Sequence, residues 1–250
     1  MELIVLGGNS GIFKFLAPEL TKHFDKIYIG TRSEPMVEIS GAVNFTLDLT
    51  NESLVTLFSQ IDKPILVLNF LGYFGKLKKF FEYLPSEIMK NLELNLMPFF
   101  VIHQSARYLP SNSLIINFSG SGVGGEKLEI SNFAYASSKI LTSNLIETLD
   151  KSLMPYNIKT CAISPGPFPT NMQLEILNQK SLESDQDLIS KTEEIFKNEI
   201  DVSDLLNLIL FLNVNRQVAS GRVWSAKWDK SFNNYSKKIG QHGHFRRLTI

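Results

Sequence analysis

A mostly parallel sheet covered by helices on both faces, a doubly wound α/β domain of the Rossmann type, is the fold class this sequence predicts. Short β-branched runs alternate with longer helical patterns along the 250 residues, which is the signature of repeated βαβ units. The first such run, Leu3-Ile4-Val5-Leu6, stops at Gly7-Gly8-Asn9-Ser10-Gly11, and a helical pattern starts at Ile12. A strand that turns through glycines into a helix aims backbone N–H groups and the helix dipole at one point, which suits a pyrophosphate. The third observation is Tyr135-Ala136-Ser137-Ser138-Lys139, where the run from Ser137 to Leu149 reads as helix. That spacing puts a phenol and an ammonium one turn apart on one face.

The elements follow in order. The first strand is expected at Glu2 to Leu6 and the second at Lys26 to Gly30, followed by Thr31-Arg32-Ser33. An acidic residue at this strand end would accept hydrogen bonds from a ribose 2′-hydroxyl, whereas Arg32 attracts a 2′-phosphate, so the expected dinucleotide is NADP(H) rather than NAD. A third strand at Ala42 to Thr46 precedes Leu47-Asp48-Leu49-Thr50. The fourth, Pro64 to Asn69, ends in the turn Asn69-Phe70-Leu71-Gly72, and the fifth, Ser113 to Phe118, runs into Ser119-Gly120-Ser121-Gly122. A sixth, Ile158 to Ser164, breaks into Pro165-Gly166-Pro167-Phe168-Pro169-Thr170, and Arg222 to Ser225 is the seventh. In open parallel sheets ligands sit at the carboxyl ends of strands, and each of these turns lies at such an end.

Between Asn171 and Glu199 a polar, charge-rich insertion precedes the apolar helix Val202 to Leu212. Residues 171–200 could be a solvated helical pair, but because they directly follow the proline loop the favoured reading is a flap over a substrate. No repeat, low-complexity segment or linker interrupts the chain, so residues 1–250 are expected to form a single domain.

Tyr135 and Lys139 together make a proton-transfer device. A cation ~4.5 Å from a phenol oxygen is worth about 4 kcal/mol at an effective dielectric of ~20, which would lower the phenol pKa by about 2 to 3. The tyrosine could then protonate a carbonyl oxygen or deprotonate an alcohol.

Composition removes several function classes. Lys+Arg and Asp+Glu both number 25, so there is no overall field to favour nucleic acid or an anionic membrane, and a small molecule is the expected partner. The one cysteine, Cys161, has no internal disulfide partner and reads as a buried thiol in a strand. The chain begins directly with a core strand, and no apolar stretch reaches ~18 residues, so a cytoplasmic location is expected. His242 and His244 lack a neighbouring cysteine or carboxylate cluster, so no metal site is expected there. Lys76, Lys78 and Lys79 read as solvated surface, and Phe99, Phe100 and Tyr108 as core or subunit contact.

In order and spacing these segments resemble the short-chain dehydrogenase/reductase family, in its short single-domain subtype, over nearly the whole chain. The family's Thr-Gly-x-x-x-Gly-Ile-Gly is similar to Leu6-Gly7-Gly8-Asn9-Ser10-Gly11-Ile12-Phe13, and its Asn-Asn-Ala-Gly turn to Asn69-Phe70-Leu71-Gly72. Its adenine-binding acidic residue matches Asp48 beside Leu49, its helix asparagine matches Asn95 in Leu94-Asn95-Leu96, and its Pro-Gly loop matches Pro165, Gly166 and Thr170. The resemblance implies that Gly7, Asn9, Ser10, Gly11, Ile12, Arg32, Asp48, Leu49, Asn69, Gly72, Pro165, Gly166 and Thr170, with Tyr135 and Lys139, hold NADP(H). It also implies hydride transfer between the nicotinamide and a carbonyl or secondary alcohol, with Tyr135 as acid/base. Lys139 then lowers the tyrosine pKa and holds the nicotinamide ribose, Ser119 or Ser121 hydrogen-bonds the substrate oxygen, and Asn95 orders a water that links Lys139 to solvent. A homodimer or homotetramer built from the helices carrying Asn95 and Tyr135 is the matching assembly.

Three positions depart from the pattern. Phe13 replaces a glycine, Phe70 replaces the second asparagine, and Gly120 stands at the serine position with a serine on each side. These departures leave room for a non-catalytic NADP(H)-binding sensor or scaffold subunit. A lyase or epimerase acting on a nucleotide sugar with the same Tyr–Lys pair is a third reading.

Overall fold

A computed structural model describes residues 1–120, 132–179 and 186–229. Ser121 with residues 122–131, residues 180–185 of the expected flap, and His242 and His244 therefore lie outside the described residues.

Seven parallel strands form one sheet: β1 (Glu2–Leu6), β2 (Lys26–Thr31), β3 (Val43–Thr46), β4 (Ile65–Asn69), β5 (Leu114–Phe118), β6 (Lys159–Ser164) and β7 (Val223–Ser225). Their order across the sheet is β3-β2-β1-β4-β5-β6-β7, with the reversal of direction between β1 and β4. Each strand lies within a residue or so of its predicted bounds, and the runs that mark β1, β4, β5 and β6 are buried on both faces. Leu3 and Val5 face one side while Ile4 and Leu6 face the other, and β4 splits likewise into Leu66 and Leu68 against Ile65 and Val67.

The helices are α1 (Gly11–Leu20), α2 (Asn51–Ser59), α3 (Pro85–Ser105), α4 (Phe133–Leu153), α5 (Asn171–Asn178), α6 (Gln186–Lys197), α7 (Ser203–Val214) and α8 (Arg216–Ala219). Phe13, Leu16 and Leu20 of α1 and Leu205, Leu208 and Leu212 of α7 cover one face of the sheet. Leu54 and Phe58 of α2, Val101 and Ile102 of α3 and Leu153 of α4 cover the other. Fully burying each of these side chains contributes about 1.5 to 3 kcal/mol.

Cap chemistry fixes where the helices begin. The Thr50 hydroxyl accepts from Ser53 N at 3.3 Å to start α2, and Glu87 accepts from Leu84 N at 2.9 Å across the first turn of α3, whose first residue is Pro85. α3 ends at Ser105, so Tyr108 lies beyond it in a 3-10 turn, where it is exposed rather than core, while Phe99 is buried. Among the described residues no helix is long and apolar enough to cross a membrane. Cys161 is buried in β6, and burial pushes its thiol pKa well up, which keeps it protonated.

Candidate active site

The glycine turn is built where β1 meets α1. Gly7 holds φ +90°, a left-handed conformation that a side chain disfavours, and Gly7 N and Gly8 N both donate to Gly30 O at 3.0 Å. A Cβ on Gly8 would lie 2.3 Å from Ile29 Cγ2, and one on Gly11 would lie 2.7 Å from Thr170 Cβ. The turn is thereby pressed onto β2 on one side and under the proline loop on the other. Ser10, the residue capping α1, makes no side-chain hydrogen bond to the helix, so the first-turn amides of Gly11, Ile12 and Phe13 are left for an external acceptor. A glycine cradle with an uncapped helix start fits a dinucleotide pyrophosphate.

Beyond the turn, Asn9 binds protein rather than standing free. Its Nδ2 donates to Ser33 Oγ at 3.0 Å and Glu34 O at 3.1 Å, and its Oδ1 accepts from Met36 N at 2.7 Å. The clamp fixes the segment that follows β2, and Arg32 is exposed at its start. Asp48 is exposed just after β3, next to the half-buried Leu49.

α4 brings Tyr135 and Lys139 to the carboxyl end of β5. Lys139 is buried and its ammonium donates to Phe118 O at 3.0 Å. A Cβ added at Gly120 would sit 3.2 Å from the Tyr135 hydroxyl and 3.0 Å from Lys139 Cγ, so position 120 faces the pair directly. Ser119 does not: its hydroxyl is paired with that of Ser143 of α4 at 3.0 Å, in the buried packing of that helix. Of the two serines flanking Gly120, Ser119 is therefore directed away from the proton-transfer position. Its strand-end backbone holds it there, with Ser119 N donating to Ile163 O at 2.8 Å.

The electrostatics differ from the expectation that Lys139 lowers the tyrosine pKa. Burial pushes the Tyr135 hydroxyl above its ordinary value and pushes Lys139 down to about 8. The ammonium is held on the Phe118 carbonyl and lies 5.7 Å from the Tyr135 ring centroid, so desolvation outweighs the attraction between the two. Tyr135 is a protonated phenol at neutral pH.

Asn95 and Gly72 complete the group. The Asn95 side chain brackets Tyr73, accepting from its N at 3.0 Å and donating to its O at 2.9 Å. Asn91, one turn earlier, takes a further Asn95 bond at 2.9 Å and donates to Phe74 O at 2.8 Å. These bonds press the segment after β4 onto α3, and a Cβ on Gly72 would lie 3.4 Å from Lys139 Nζ and 3.6 Å from Asn95 Oδ1. Asn69 is buried at the end of β4, donating to Asn117 Oδ1 at 2.9 Å and accepting from Leu71 N at 3.2 Å. It shapes the turn from inside the sheet.

The two other family departures pack on each other. Phe13 is fully buried with its ring centroid 5.9 Å from that of Phe70, which stacks on Phe118 at 4.2 Å and 12°.

Gly166 takes φ +87° in the proline loop, and Thr170 starts α5. Tyr135 packs against a small apolar cluster of Phe74, Leu77 and Ile176, which Met172 of α5 and Leu188 of α6 also join. Phe74 and Tyr135 have centroids 5.0 Å apart, and Gln179 accepts from Leu77 N at 2.8 Å. The charge-rich segment is thus a helical pair whose apolar side meets the site. Phe74, Leu77 and Ile176 were not evident as site residues from sequence, since single apolar residues among polar ones carry no chemical signature, and Gln179 is one of several amides in its segment. Asn91 had one available signal, its place four residues before Asn95 on the same helix face.

A family model described as short chain dehydrogenase matches residues 2–181, a span that holds the glycine turn, the Tyr135–Lys139 pair and the proline loop. Among curated proteins, 3-ketodihydrosphingosine reductase of Bacteroides thetaiotaomicron is 26% identical over 180 residues, covering 67% of this chain and 64% of that protein. The match thus spans less than two thirds of the relative's length. A short chain dehydrogenase/reductase of Saccharomyces cerevisiae has a similar structure, with a TM-score of 0.76 at 18% identity over 94% of this chain and 98% of that one. RhlG of Pseudomonas aeruginosa in complex with NADP gives 0.71 at 19% over 90% and 93%. A xylitol dehydrogenase with bound NAD+ gives 0.68 at 19% over 90% and 96%. At these identities the structural likeness is one of fold.

Proposed function

The chain belongs to the short chain dehydrogenase family of oxidoreductases, and from that premise we propose that it reduces an apolar ketone to a secondary alcohol with NADPH. The observation that carries this reading is Tyr135, a protonated phenol against Gly120 and Lys139, walled by Phe74, Leu77 and Ile176. The glycine turn and the start of α1 would hold the pyrophosphate, Arg32 the 2′-phosphate, and Lys139 with Gly72 the ribose on the nicotinamide side. When bound, the nicotinamide supplies the hydride.

The chain's own residues do the rest. Tyr135 donates its hydroxyl proton to the substrate oxygen, and the raised pKa keeps that proton in place until an alkoxide develops. Lys139, held by the Phe118 carbonyl, stabilises the phenolate left behind. Asn95 fixes the Tyr73 backbone and so the wall that positions the substrate. Phe74, Leu77 and Ile176 exclude water from the reacting oxygen.

Substrate class follows from that wall. The compound in the name of the Bacteroides relative joins a ketone to a long aliphatic chain, and a substrate of that kind suits apolar side chains better than a keto-sugar does. Exposed Leu94 and Met97 on α3 and Leu141 on α4 support a homodimer or homotetramer, which sedimentation analysis would test.

The experiment is NADPH consumption followed by absorbance with aliphatic ketones and keto-sugars in parallel. Turnover is expected on the aliphatic set, and Tyr135→Phe should abolish it while leaving NADPH binding within a few-fold. Retention of more than a tenth of wild-type turnover in that variant would remove Tyr135 from the acid role.

A second reading has one observation in its favour. Gly120 presents no hydroxyl where position 120 faces Tyr135, as suits a subunit that binds NADP(H) without turning over. NADPH binding with no turnover on either substrate set would select it.

A further inference from the structure

At the opposite end of the sheet from Tyr135, a cavity of about 400 Å3 opens beneath the starts of β4, β5 and β6. Lys159 is the first residue of β6 and Ser164 the last, so the cavity lies roughly 17 Å from the proline loop at ~3.3 Å per residue. Its lining holds two cations, Lys159 and Arg216, and four carboxamides, Asn112, Asn213, Asn215 and Gln217, with no carboxylate.

Arg216 is fixed in place. Its Nε donates to Asn213 O at 2.9 Å and its Nη2 to Asn213 Oδ1 at 2.7 Å, while Nη1 donates to Asn112 O. Three of five N–H donors are engaged, and two are left over. Asn112, in a left-handed conformation at φ 66°, is itself tied to Asn157 O through its N at 2.7 Å. Lys159 differs from Arg216. The residue is only 8% exposed, yet its ammonium makes no hydrogen bond or ion pair among the described residues. A lysine lining a cavity with no carboxylate beside it is left available to pair with an anion that enters.

We propose that this cavity is a second ligand site, separate from the cofactor and substrate sites, for a phosphate monoester on a small polar carrier. Two cations match a dianion, the spare Arg216 donors and the amide groups suit phosphate oxygens and carrier hydroxyls, and the volume lies in the range of small-ligand sites. The cavity holds more than a bare phosphate ion would fill.

Isothermal titration with ribose 5-phosphate, inorganic phosphate and ribose tests the assignment. Saturating nicotinamide dinucleotide is kept present so that the glycine turn and Arg32 do not contribute. Saturable binding of both phosphates is expected, with none of ribose. Lys159→Met removes the unpaired charge at similar volume, and Gln217→Glu places a carboxylate on the exposed rim. Each should weaken binding at least about tenfold, as expected for losing or opposing one charge-assisted contact. Weakening by either variant in folded protein supports the site, and Gln217→Glu decides if Lys159→Met does not fold. Absence of saturable binding, or binding unchanged in the folded variants, would overturn it.

Discussion

Phe13 stands where the family has a glycine, and the structure gives it a packing role that can be measured. The ring is fully buried in the first turn of α1, meets Phe70 at 5.9 Å, and through Phe70 joins the stack on Phe118. Truncating a buried phenylalanine to alanine costs about 3 to 5 kcal/mol, and an aromatic pair adds about 0.5 to 1.5 kcal/mol beyond the area it buries. Phe13→Ala and Phe70→Ala should therefore each destabilise the fold, and the double variant should lose about 1 kcal/mol less than the sum of the two. Urea unfolding with a common m-value measures the three stabilities, and fluorescence titration gives NADPH affinity for each variant. Affinity in Phe13→Ala should stay within a few-fold of wild type, because the ring packs down onto Phe70 rather than out into the glycine turn. Additive stabilities within about 0.3 kcal/mol would show that the two rings are not a unit. A tenfold gain in NADPH affinity would show instead that Phe13 obstructs the cofactor.

Three further outcomes are expected. Ser121→Ala should lower turnover by roughly 100-fold and Ser119→Ala by far less in steady-state assays, since the Ser119 hydroxyl is engaged with Ser143; the reverse pattern would move the role to Ser119. NADPH should bind about 10- to 100-fold tighter than NADH by calorimetry, and Arg32→Ala should erase most of that preference, because a guanidinium–phosphate contact is worth roughly 1.5 to 3 kcal/mol; equal binding by wild type would refute the NADP assignment. His103 is buried against Phe99 O at 2.7 Å and Thr160 Oγ1 at 3.0 Å, and burial lowers its pKa from 6.5 to about 4. Between those values the unfolded chain binds more protons, so stability is full above pH 6.5 and falls by up to about 3 kcal/mol as pH drops to 4. Urea unfolding at pH 7 and pH 4.5 should show a markedly smaller acid loss in His103→Gln, and an equal loss would exclude the imidazole as the cause.

The sheet was legible because its signal is one-dimensional. Runs such as Ile65 to Leu68 are apolar at every position, which in a chain alternating with helices means strands covered on both faces. The glycine turn was legible for a related reason: a left-handed φ at Gly7 and the close approach of Gly11 to Thr170 leave few residue types to choose from. Asn9 and Asn69 were found as positions, but their work is internal. One clamps the loop bearing Arg32, and the other bonds Asn117 across the sheet. Such roles depend on which partner arrives from more than 20 residues away, and no local pattern encodes that. The wall over Tyr135 was hidden for the same reason, since Phe74, Leu77 and Ile176 come from two segments about a hundred residues apart.

The protonation state of the pair could not be read from spacing either, and it bears on which form of the phenol is present at rest. Tyr and Lys at four residues' separation fix proximity, which argues for a lowered phenol pKa. Burial acts on both groups against their charged forms, and it acts on them in opposite senses: the phenol pKa rises while that of the lysine falls to about 8. At neutral pH the result is a neutral phenol beside an ammonium that is still mostly charged. A neutral phenol can give a proton to a carbonyl oxygen but cannot take one from an alcohol, and the ammonium stabilises the phenolate only once it forms. Here Phe74 packs on the Tyr135 ring, and the burial that keeps the proton on the phenol suits the acid role proposed for it.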